Sequence, residues 1–454
     1  MKNNIYVFIF ISIIINYYLN SIRLNDISTD YYFWANLNYW LHLIPFGHYL
    51  IYRQNKDIFP FVGILGIFLS MSFSIPIFFI HPSSYQLAEL SIIAMEVSFW
   101  SYLLFYLFYL LLLNNNLIVK NIFDPIKISL DNPKIKNSAY LFLGFRFLDS
   151  FIKATFIHHL ANLGIYIYIG TFVVLLNNKI RINKIEKYIF YGILTLEYFT
   201  RLVDGLIAYV SMLTLFLIIV DYHSSKKVYK IFLFLIPLVF IYYLISPVKS
   251  QFREKVWYSD VSVSIVERLV ILKDLISEFN EDKGVTDNRS LDLIERENFF
   301  WRYSYQASAL SMVIEETPKN IPYWNGDSYK IFSKFIPRFL WPNKPKEDMG
   351  TRFGVVYGII DVNSTTSMNT PILAEMYLNY GYKGIFICMI LLSIIYVHIN
   401  SYFNNINISN IGKVYSVAII FPCVIHESNF SLVFGNIPLM ILAVHGLIRL
   451  YINK

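Results

Sequence analysis

The stretch Ile58–Ile80 decides the fold of this chain, and it reads IFPFVGILGIFLSMSFSIPIFFI. No charged side chain interrupts these 23 residues. A helix needs about 20 apolar residues to cross the hydrocarbon core of a bilayer, where its backbone polar groups must be satisfied without water. An uncharged run of this length is therefore typical of a transmembrane helix, and it predicts a membrane protein.

The rest of the sequence has the same character. Of the 454 residues, 56% are hydrophobic and 15% are charged, and the mean hydropathy is +0.49. An average soluble domain has about a quarter charged residues, so an ordinary soluble enzyme is excluded. Further single spans are Ile5–Ile22, Leu87–Leu113, Val228–Val248 and Gly384–Asn400, with a weaker one at Tyr31–Tyr52 whose aromatic ends suit the membrane interface.

Three other apolar runs are too long for one helix and have polar residues near their centres: Ala139–Leu176, Tyr188–Val220 and Val414–Leu450. Each pattern predicts a helical hairpin whose tip carries the polar residues. We therefore expect an all-α polytopic integral membrane protein with about twelve transmembrane helices.

The distribution of charge predicts the topology. The formal net charge is +7, and residues 249–382 hold 16 Lys and Arg against 18 Asp and Glu, which leaves 22 basic and 13 acidic residues elsewhere. That basic excess lies between membrane segments, which predicts cytoplasmic loops there and two cytoplasmic termini, and it gives no indication of a nucleic-acid partner. The expected organisation is a transmembrane bundle of about nine helices over 1–248, one large external loop region over 249–382, and C-terminal transmembrane helices over 383–454.

The external stretch is expected to contain helices. Apolar residues recur at helical spacing over 261–279, which predicts an amphipathic helix. Ser290–Glu316 predicts a second helix that stops before Thr317-Pro318. Residues 320–361 are rich in Gly, Pro, Trp and Tyr, and we expect them to loop across the outer surface.

Cations and an indole are concentrated in residues 336–345, IPRFLWPNKP. Proline fixes backbone angles, so Arg338 and Lys344 point in set directions, and a guanidinium binds phosphate oxygens bidentately. Trp341 suits a sugar face or the headgroup layer, and the alternative is that the whole segment is an interfacial anchor. Farther on, Arg352 is the cation of the run GTRFG, either as a ligand-binding group or as a solvated residue of a glycine-rich turn.

A helix start is expected at Thr370-Pro371. Thr370 can cap the helix with Pro371 at its first position, and the helix would then run from the outer surface inward through Gly384–Asn400. Its N-terminal amides would favour an anion such as a pyrophosphate. Glu375, one turn into the helix, is either a general base or an offset for nearby cations.

Arg201 lies with Glu197 and Asp204 at the tip of an expected hairpin. Charges at membrane depth need partners or a wet cavity, so this group is either a structural ion-pair cluster or an anion-binding site. Histidine is absent from residues 249–382, and no His, Cys or Asp cluster has metal-ligand spacing. We expect no metal and no cofactor.

The run 302–384 resembles the bacterial oligosaccharide repeat-unit polymerases, the O-antigen polymerases of the Wzy type. The matching features are Thr317-Pro318, Gly326, Ile336-Pro337-Arg338, Trp341-Pro342-Asn343-Lys344-Pro345, Phe353-Gly354, Tyr357-Gly358 and Glu375-x-Tyr377-x-Asn379-x-Gly381. The architecture, many helices with one large outer loop late in the chain, is similar as well. The resemblance is specific over this run and architectural elsewhere.

The resemblance implies a metal-independent glycosyltransferase at the outer face of the bacterial cytoplasmic membrane. A growing surface polysaccharide, O-antigen or capsule, would pass from its undecaprenyl pyrophosphate to a sugar hydroxyl of the next lipid-linked oligosaccharide. This needs cations on the departing pyrophosphate and a base for the hydroxyl. The residues implied are Arg338, Arg352 and Glu375 as catalytic groups, with Arg201, Arg302, Trp341, Lys344 and Tyr357 in substrate binding. Partners would be the bilayer and polysaccharide-assembly proteins such as a chain-length regulator.

Other functions fit parts of the pattern. An O-antigen ligase has a similar architecture, but ligases of that type resemble a pattern with a loop histidine, which this sequence lacks. A lipid-linked oligosaccharide flippase or another transporter would place charges along a central cavity, and many transporters are built from repeats, none of which is visible here. A membrane scaffold within a polysaccharide assembly complex is the remaining alternative.

Overall fold

A computed structural model gives the structure of the chain. It describes residues 2–54, 56–58, 60–114, 132, 134–152, 155–180, 182–205, 207–225, 227, 229–245, 248–257, 263–282, 299–329, 341–343, 348–363, 367–404, 409–424, 426–435 and 437–447. The site residues Arg338 and Lys344 lie outside these described residues.

All the regular structure in these residues is helical. The α-helices are α1 Lys2–Ser21, α2 Thr29–His48, α3 Phe61–Phe73, α4 Ile92–Asn114, α5 Lys134–Phe151, α6 Thr155–Asn177, α7 Lys184–Val203, α8 Ile207–Ser225, α9 Tyr229–Ile245, α10 Lys249–Trp257, α11 Ile265–Asp282, α12 Phe299–Tyr303, α13 Tyr305–Glu316, α14 Met349–Val356, α15 Ile372–Phe403, α16 Asn410–Ile420, α17 Phe430–Phe434 and α18 Ile437–Leu447. The prediction of an all-α protein is confirmed.

Within the described residues, five stretches are helical, long and apolar enough to cross a membrane: Asn4–Ser21, Phe61–Phe78, Ile92–Asn114, Ile157–Asn177 and Ile372–Phe403. Four shorter apolar helices accompany them. Two of the three expected hairpins form as single pairs of helices, α5 with α6 and α7 with α8. The third expected hairpin is divided further, since α16 is followed by a 3-10 turn and by α17 and α18.

The chain forms two compact units. The first unit comprises Met1–Pro125, Asn298–Asn407 and Ile419–Ala443, and the second comprises Ile126–Glu297, Ile408–Ala418 and Val444–Lys454. In the first unit α4 packs against both α2 and α15, and α2 also packs against α3.

Helix α13 is part of the core of the first unit. Its residues Tyr305–Val313 are all buried, and the helix packs against α3, α4 and α15. Three serine hydroxyls accept backbone N–H groups from the segment that leads into α4, in the pairs Ser304–Gln86 at 3.3 Å, Ser308–Leu87 at 3.3 Å and Ser311–Ser91 at 3.0 Å. The helix ends before Thr317-Pro318, as predicted, and it is part of the core. Of the predicted helix Ser290–Glu316, residues 290–298 lie outside the described residues, and the rest forms two helices, α12 and α13.

Helix α15 carries the expected helix start, with two differences. It is one 32-residue element that begins at Ile372, and its backbone is kinked at Tyr380 and Gly381. Pro371 is the N-cap, and no side chain caps the helix. The prediction that Thr370 caps it is wrong, because the Thr370 hydroxyl is buried and makes no hydrogen bond to a described residue.

The second unit contains the two hairpins and a small core between α10 and α11. Val248, Phe252, Val256 and Leu275 form that core, and Leu272, Ile276 and Phe279 pack against it. This confirms the predicted amphipathic helix, which begins at Ile265 in the structure. Helix α7 begins with a capping box, in which the Asn183 side chain accepts the Glu186 N–H and the Glu186 carboxylate accepts the Asn183 N–H.

Candidate functional site

Glu375 lies in the first turn of α15, inside the first unit, and is 0% exposed. Its Oε2 accepts the backbone N–H of Phe430, the first residue of α17, at 2.6 Å. The N–H of Ile372 donates to the carbonyl of His426 at 3.1 Å. The start of α15 and the segment 426–430 are therefore held together by two hydrogen bonds, one of them to the Glu375 carboxylate.

His426 fixes this segment to the helix bundle. Its Nδ1 lies 3.2 Å from the hydroxyl of Tyr102 on α4, and its Nε2 lies 2.6 Å from the hydroxyl of Tyr396 on α15. Tyr396 donates its own proton to the carbonyl of Cys423 at 2.5 Å. The contact between Tyr396 and the ring therefore has His426 Nε2 as the donor, which leaves Nδ1 to accept from Tyr102.

Asn379 lies one turn after Glu375 and docks a loop segment, residues 324–328, onto α15. Its Nδ2 donates to the Glu375 carbonyl at 2.7 Å and to the Ser328 hydroxyl at 2.7 Å, and its Oδ1 accepts the Gly326 N–H at 2.9 Å. The carbonyls of Leu378 and Asn379 accept the N–H groups of residues 324 and 325 at 3.0 and 3.1 Å. This side chain is fully buried, so its hydrogen-bonding groups have to be matched within the protein.

Two glycines make the docking possible. Gly326 has a φ of +89°, and a Cβ there would overlap the hydroxyl of Tyr380. Gly381 has φ +61° and ψ −146°, and a Cβ there would lie 2.6 Å from the hydroxyl of Tyr323. Side chains rarely adopt these backbone angles, so glycine at both positions is explained by the kink in α15 and by the close approach of the docked segment.

Arg352 joins this assembly through the docked segment. Its guanidinium lies 4.1 Å from the centroid of the Trp324 ring, and its Nη1 pairs with Asp327. The side chain is 36% exposed, and its Nε and Nη2 donate to no described residue. Because residues 324–328 are bonded to α15, Arg352 is positioned relative to the helix that carries Glu375.

The run GTRFG is helical and is not a glycine-rich turn. Gly350 and Gly354 both lie on α14. A Cβ at Gly350 would overlap the hydroxyl of Ser367 and lie 2.5 Å from the carbonyl of Met368, so the close approach that glycine permits is to another part of this chain. The expectation that residues 320–361 form a loop is wrong over Met349–Val356, where the chain is helical.

Tyr329 lies close to Glu375 and follows the docked segment. Its ring centroid is 6.2 Å from that of Phe430, and its hydroxyl is 3.7 Å from the Cys388 sulfur. Burial raises the pKa of Tyr329 above its usual range, and the Glu375 charge raises it further. Tyr329 is therefore a neutral hydroxyl beside the carboxylate.

Arg302 reaches the same region from α12. Its Nη2 pairs with the carboxylate of Glu427, and its guanidinium lies 5.6 Å from the Tyr305 ring centroid. Glu427 belongs to the segment 426–430 that contacts Glu375. The structure therefore brings the expected residues Arg302, Arg352 and Glu375 onto connected segments of the first unit.

Tyr357 and Trp341 have different surroundings. The Tyr357 hydroxyl lies 2.6 Å from Thr317 Oγ1, and its ring lies 4.9 Å from that of Phe353, so it ties α14 to the end of α13. Burial raises the pKa of Tyr357 to about 12, and the hydrogen bond to Thr317 opposes this shift. Trp341 is exposed.

Arg201 belongs to the second unit, where it is in an ion-pair cluster. Its Nε donates to Glu197 at 3.2 Å, and its Nη1 donates to the Tyr166 hydroxyl at 3.4 Å and to the Tyr209 carbonyl at 3.1 Å. The expected third member, Asp204, instead pairs with Arg268 at 2.5 Å.

Sequence reasoning missed Asp327 and Trp324, which hold Arg352. Nothing in the sequence marks these two residues, since their partner lies about 25 positions away and belongs to another helix. Within the part of the chain that the structure describes, no group of three or more His, Cys, Asp or Glu side chains could hold a metal ion.

A family model described as a domain of unknown function, DUF8712, matches residues 135–442. The chain belongs to this family. Neither a curated protein nor a solved structure matches the chain. The DUF8712 region begins in α5 and ends in α18, so it includes Arg302, Arg352 and Glu375 with the segments that hold them.

Proposed function

We propose that this DUF8712 protein is a membrane glycosyltransferase that polymerises undecaprenyl-pyrophosphate-linked oligosaccharide repeat units into a surface polysaccharide. It would act at the outer face of the bacterial cytoplasmic membrane, with about twelve transmembrane helices and two cytoplasmic termini. One observation carries the proposal: α15 contains the buried carboxylate of Glu375 and holds the half-exposed guanidinium of Arg352 through the docked segment.

Arg352 is the proposed contact of the pyrophosphate. Asp327 occupies Nη1, which leaves the N–H groups of Nε and Nη2 free of described acceptors. These two adjacent donors match the spacing of two phosphate oxygens. Stabilising the departing pyrophosphate in this way lowers the barrier for glycosyl transfer. Arg338 and Lys344 are proposed as further cations from the sequence pattern alone.

Glu375 is the proposed general base. Phe430 occupies Oε2 through its N–H and so orients the carboxylate. A base must come within hydrogen-bond distance of the hydroxyl that it deprotonates. The acceptor sugar would therefore be bound with its hydroxyl next to the start of α15, close to Tyr329.

The test is a surface-polysaccharide gel from a strain deleted for this chain and complemented with variants. We expect a ladder with the wild type and a single repeat unit with Arg352→Ala or Glu375→Gln, at equal protein level. Glu375→Gln keeps an acceptor for the Phe430 N–H and removes only the basic charge. The matched control is Arg23→Ala, because Arg23 stacks on Tyr32 at 4.8 Å in another loop of the same unit.

Three other results on the gel would contradict the proposal. An unchanged ladder with both site variants would assign the residues a structural role. Loss of all surface glycan, single repeat units included, would indicate a flippase. If the variants made a full ladder of polymer that stayed on its lipid carrier, the missing step would be transfer of the finished polymer to its final lipid acceptor, and that result would indicate a ligase.

A further inference from the structure

A second group of charges lies in the second unit, on helices α5 and α7. The Glu197 carboxylate is shared between two arginines, with Oε1 accepting from Arg146 Nε at 3.0 Å and Oε2 accepting from Arg201 Nε at 3.2 Å. Within these three residues, two guanidinium groups share one carboxylate, which leaves one positive charge in excess; Asp149, one turn after Arg146 on α5, pairs with the His158 ring at 3.0 Å. Such a charge near a bilayer needs an anion or water.

The two arginines differ in exposure and in how many of their guanidinium N–H groups already donate to described residues. Arg201 is 8% exposed, and its Nη1 already donates to Tyr166 and to the Tyr209 carbonyl. The Arg146 side chain is 37% exposed, and neither of its Nη atoms donates to a described residue. The unbalanced charge is therefore accessible at Arg146, whereas Arg201 orients the shared carboxylate.

The surroundings of Arg146 are apolar and uncovered. On α5, Phe147 is 62% exposed and Phe151 is 84% exposed. On the neighbouring α7, Leu196 and Phe199 are exposed as well. Helix α6 follows α5 in the chain, and Ile157–Asn177 is one of the five stretches in the described residues that are long and apolar enough to cross a membrane. The exposed aromatic and aliphatic side chains of α5 and α7 are of the kind that contact lipid chains when a helix lies at a bilayer.

Arg146 lies near the C-terminal end of α5. It is five residues before the end of α5, which corresponds to about 7.5 Å along a helix. The headgroup layer on each side of a bilayer is about 5–8 Å thick. A long arginine side chain can extend toward that layer while its neighbours stay among the lipid chains.

We propose that the Arg146–Glu197–Arg201 cluster binds the phosphate group of a membrane lipid, with Arg146 as the contacting residue. The Nη atoms of Arg146 donate to phosphate oxygens, and the adjacent apolar side chains of α5 and α7 contact the lipid chains. Arg201 is also among the substrate-binding residues that the resemblance implies, whereas the contacting residue Arg146 is not, and lipid binding at Arg146 does not depend on the proposed transferase function. A phospholipid and a polyprenyl phosphate share this chemistry, and the experiment distinguishes them.

The test is native mass spectrometry of the full-length protein, purified in detergent, with phosphatidylglycerol, undecaprenyl phosphate, diacylglycerol or inorganic phosphate added. We expect the wild type to retain a phosphate-bearing lipid and Arg146→Ala to bind it about tenfold more weakly. Arg146→Lys should bind at an intermediate level, because it keeps the charge and loses the planar fork. In Arg146→Ala the Glu197 carboxylate keeps Arg201, so the fold should be retained.

The matched control is Lys136→Ala. Lys136 pairs with Glu186 at 3.1 Å and joins the same two helices at their opposite end, so its loss removes one positive charge without touching the cluster. Binding of both lipids that depends on Arg146 would support a general lipid-phosphate site, and binding of undecaprenyl phosphate alone would identify the polyprenyl carrier. The proposal would be overturned if the wild type and Arg146→Ala retained lipid equally, or if Lys136→Ala lost as much lipid binding as Arg146→Ala. It would also be overturned if diacylglycerol bound as tightly as the phosphate-bearing lipids, or if inorganic phosphate bound and neither lipid did.

Discussion

Replacing Gly381 by alanine should destabilise the first unit by a predictable amount. The backbone at this position has φ +61° and ψ −146°, a combination that is essentially restricted to glycine and costs about 1–3 kcal/mol for any other residue. The added Cβ would also lie 2.6 Å from the hydroxyl of Tyr323. That hydroxyl is the far end of a side chain and can move, so its displacement should add at most about 1 kcal/mol. We therefore expect a total loss of about 1–4 kcal/mol.

The measurement is denaturant titration of the purified protein in detergent micelles, with the polysaccharide gel as a second readout. Because Gly381 lies at the kink that receives the docked segment, the ladder should shorten together with the loss of stability. Gly144→Ala is the matched control, since Gly144 lies within α5 and a Cβ there would meet nothing within 4 Å. Alanine should be neutral there or stabilising by about 0.5–1 kcal/mol.

A double variant separates the two parts of the Gly381 effect. Adding Tyr323→Phe to Gly381→Ala removes the hydroxyl that the new Cβ would meet, so only the smaller, steric part should be recovered. If Gly381→Ala is as stable as the wild type, the positive φ is not required and the account of the kink is wrong. Full recovery in the double variant would show that the clash, and not the backbone angle, sets the cost.

Three further predictions concern buried hydrogen bonds. Asn379→Ala should cost about 2–4 kcal/mol and shorten the ladder, because it leaves the Gly326 N–H without its acceptor; denaturant titration and the gel would show this. Tyr357→Phe should cost about 1 kcal/mol of stability. Because burial raises the pKa of Tyr357 to about 12 in the folded protein, the wild type should also lose stability as the pH rises from about 10 to 12, where the tyrosine ionises more readily in the unfolded chain. Denaturant titrations of Tyr357→Phe at each pH should lack that loss. Ser308→Ala should cost about 1–2 kcal/mol in the same titration, because it removes the acceptor of the Leu87 N–H, whereas exposed Ser83→Ala should cost nothing.

Periodicity and apolar length predicted much of the helical architecture from the sequence. The α5–α6 and α7–α8 hairpins and the amphipathic α11 follow from local patterns, because a helix that buries one face repeats its apolar residues every three or four positions. The position of α13 did not follow, since Ser304 and Ser308 read as ordinary polar residues until their backbone partners more than 200 positions away are known. Thr370 failed as a cap for a related reason: cap propensity is local, and tertiary packing around the start of α15 placed Pro371 there instead.

The pattern Glu375-x-Tyr377-x-Asn379-x-Gly381 has a physical reason that is independent of any reaction. A spacing of four places Glu375 and Asn379 on one face of α15, so that one residue bonds the segment 426–430 and the other bonds the docked segment. Gly381, two residues later, supplies the backbone angle that turns the helix beneath that segment. The pattern therefore specifies how two loops are attached to α15, a helix long and apolar enough to cross a membrane. The chemistry of the proposed site depends on the charges of Glu375 on α15 and of Arg352, which the docked segment holds. Charge substitutions at these two residues, and not substitutions at Gly381 or Asn379, therefore test the reaction itself.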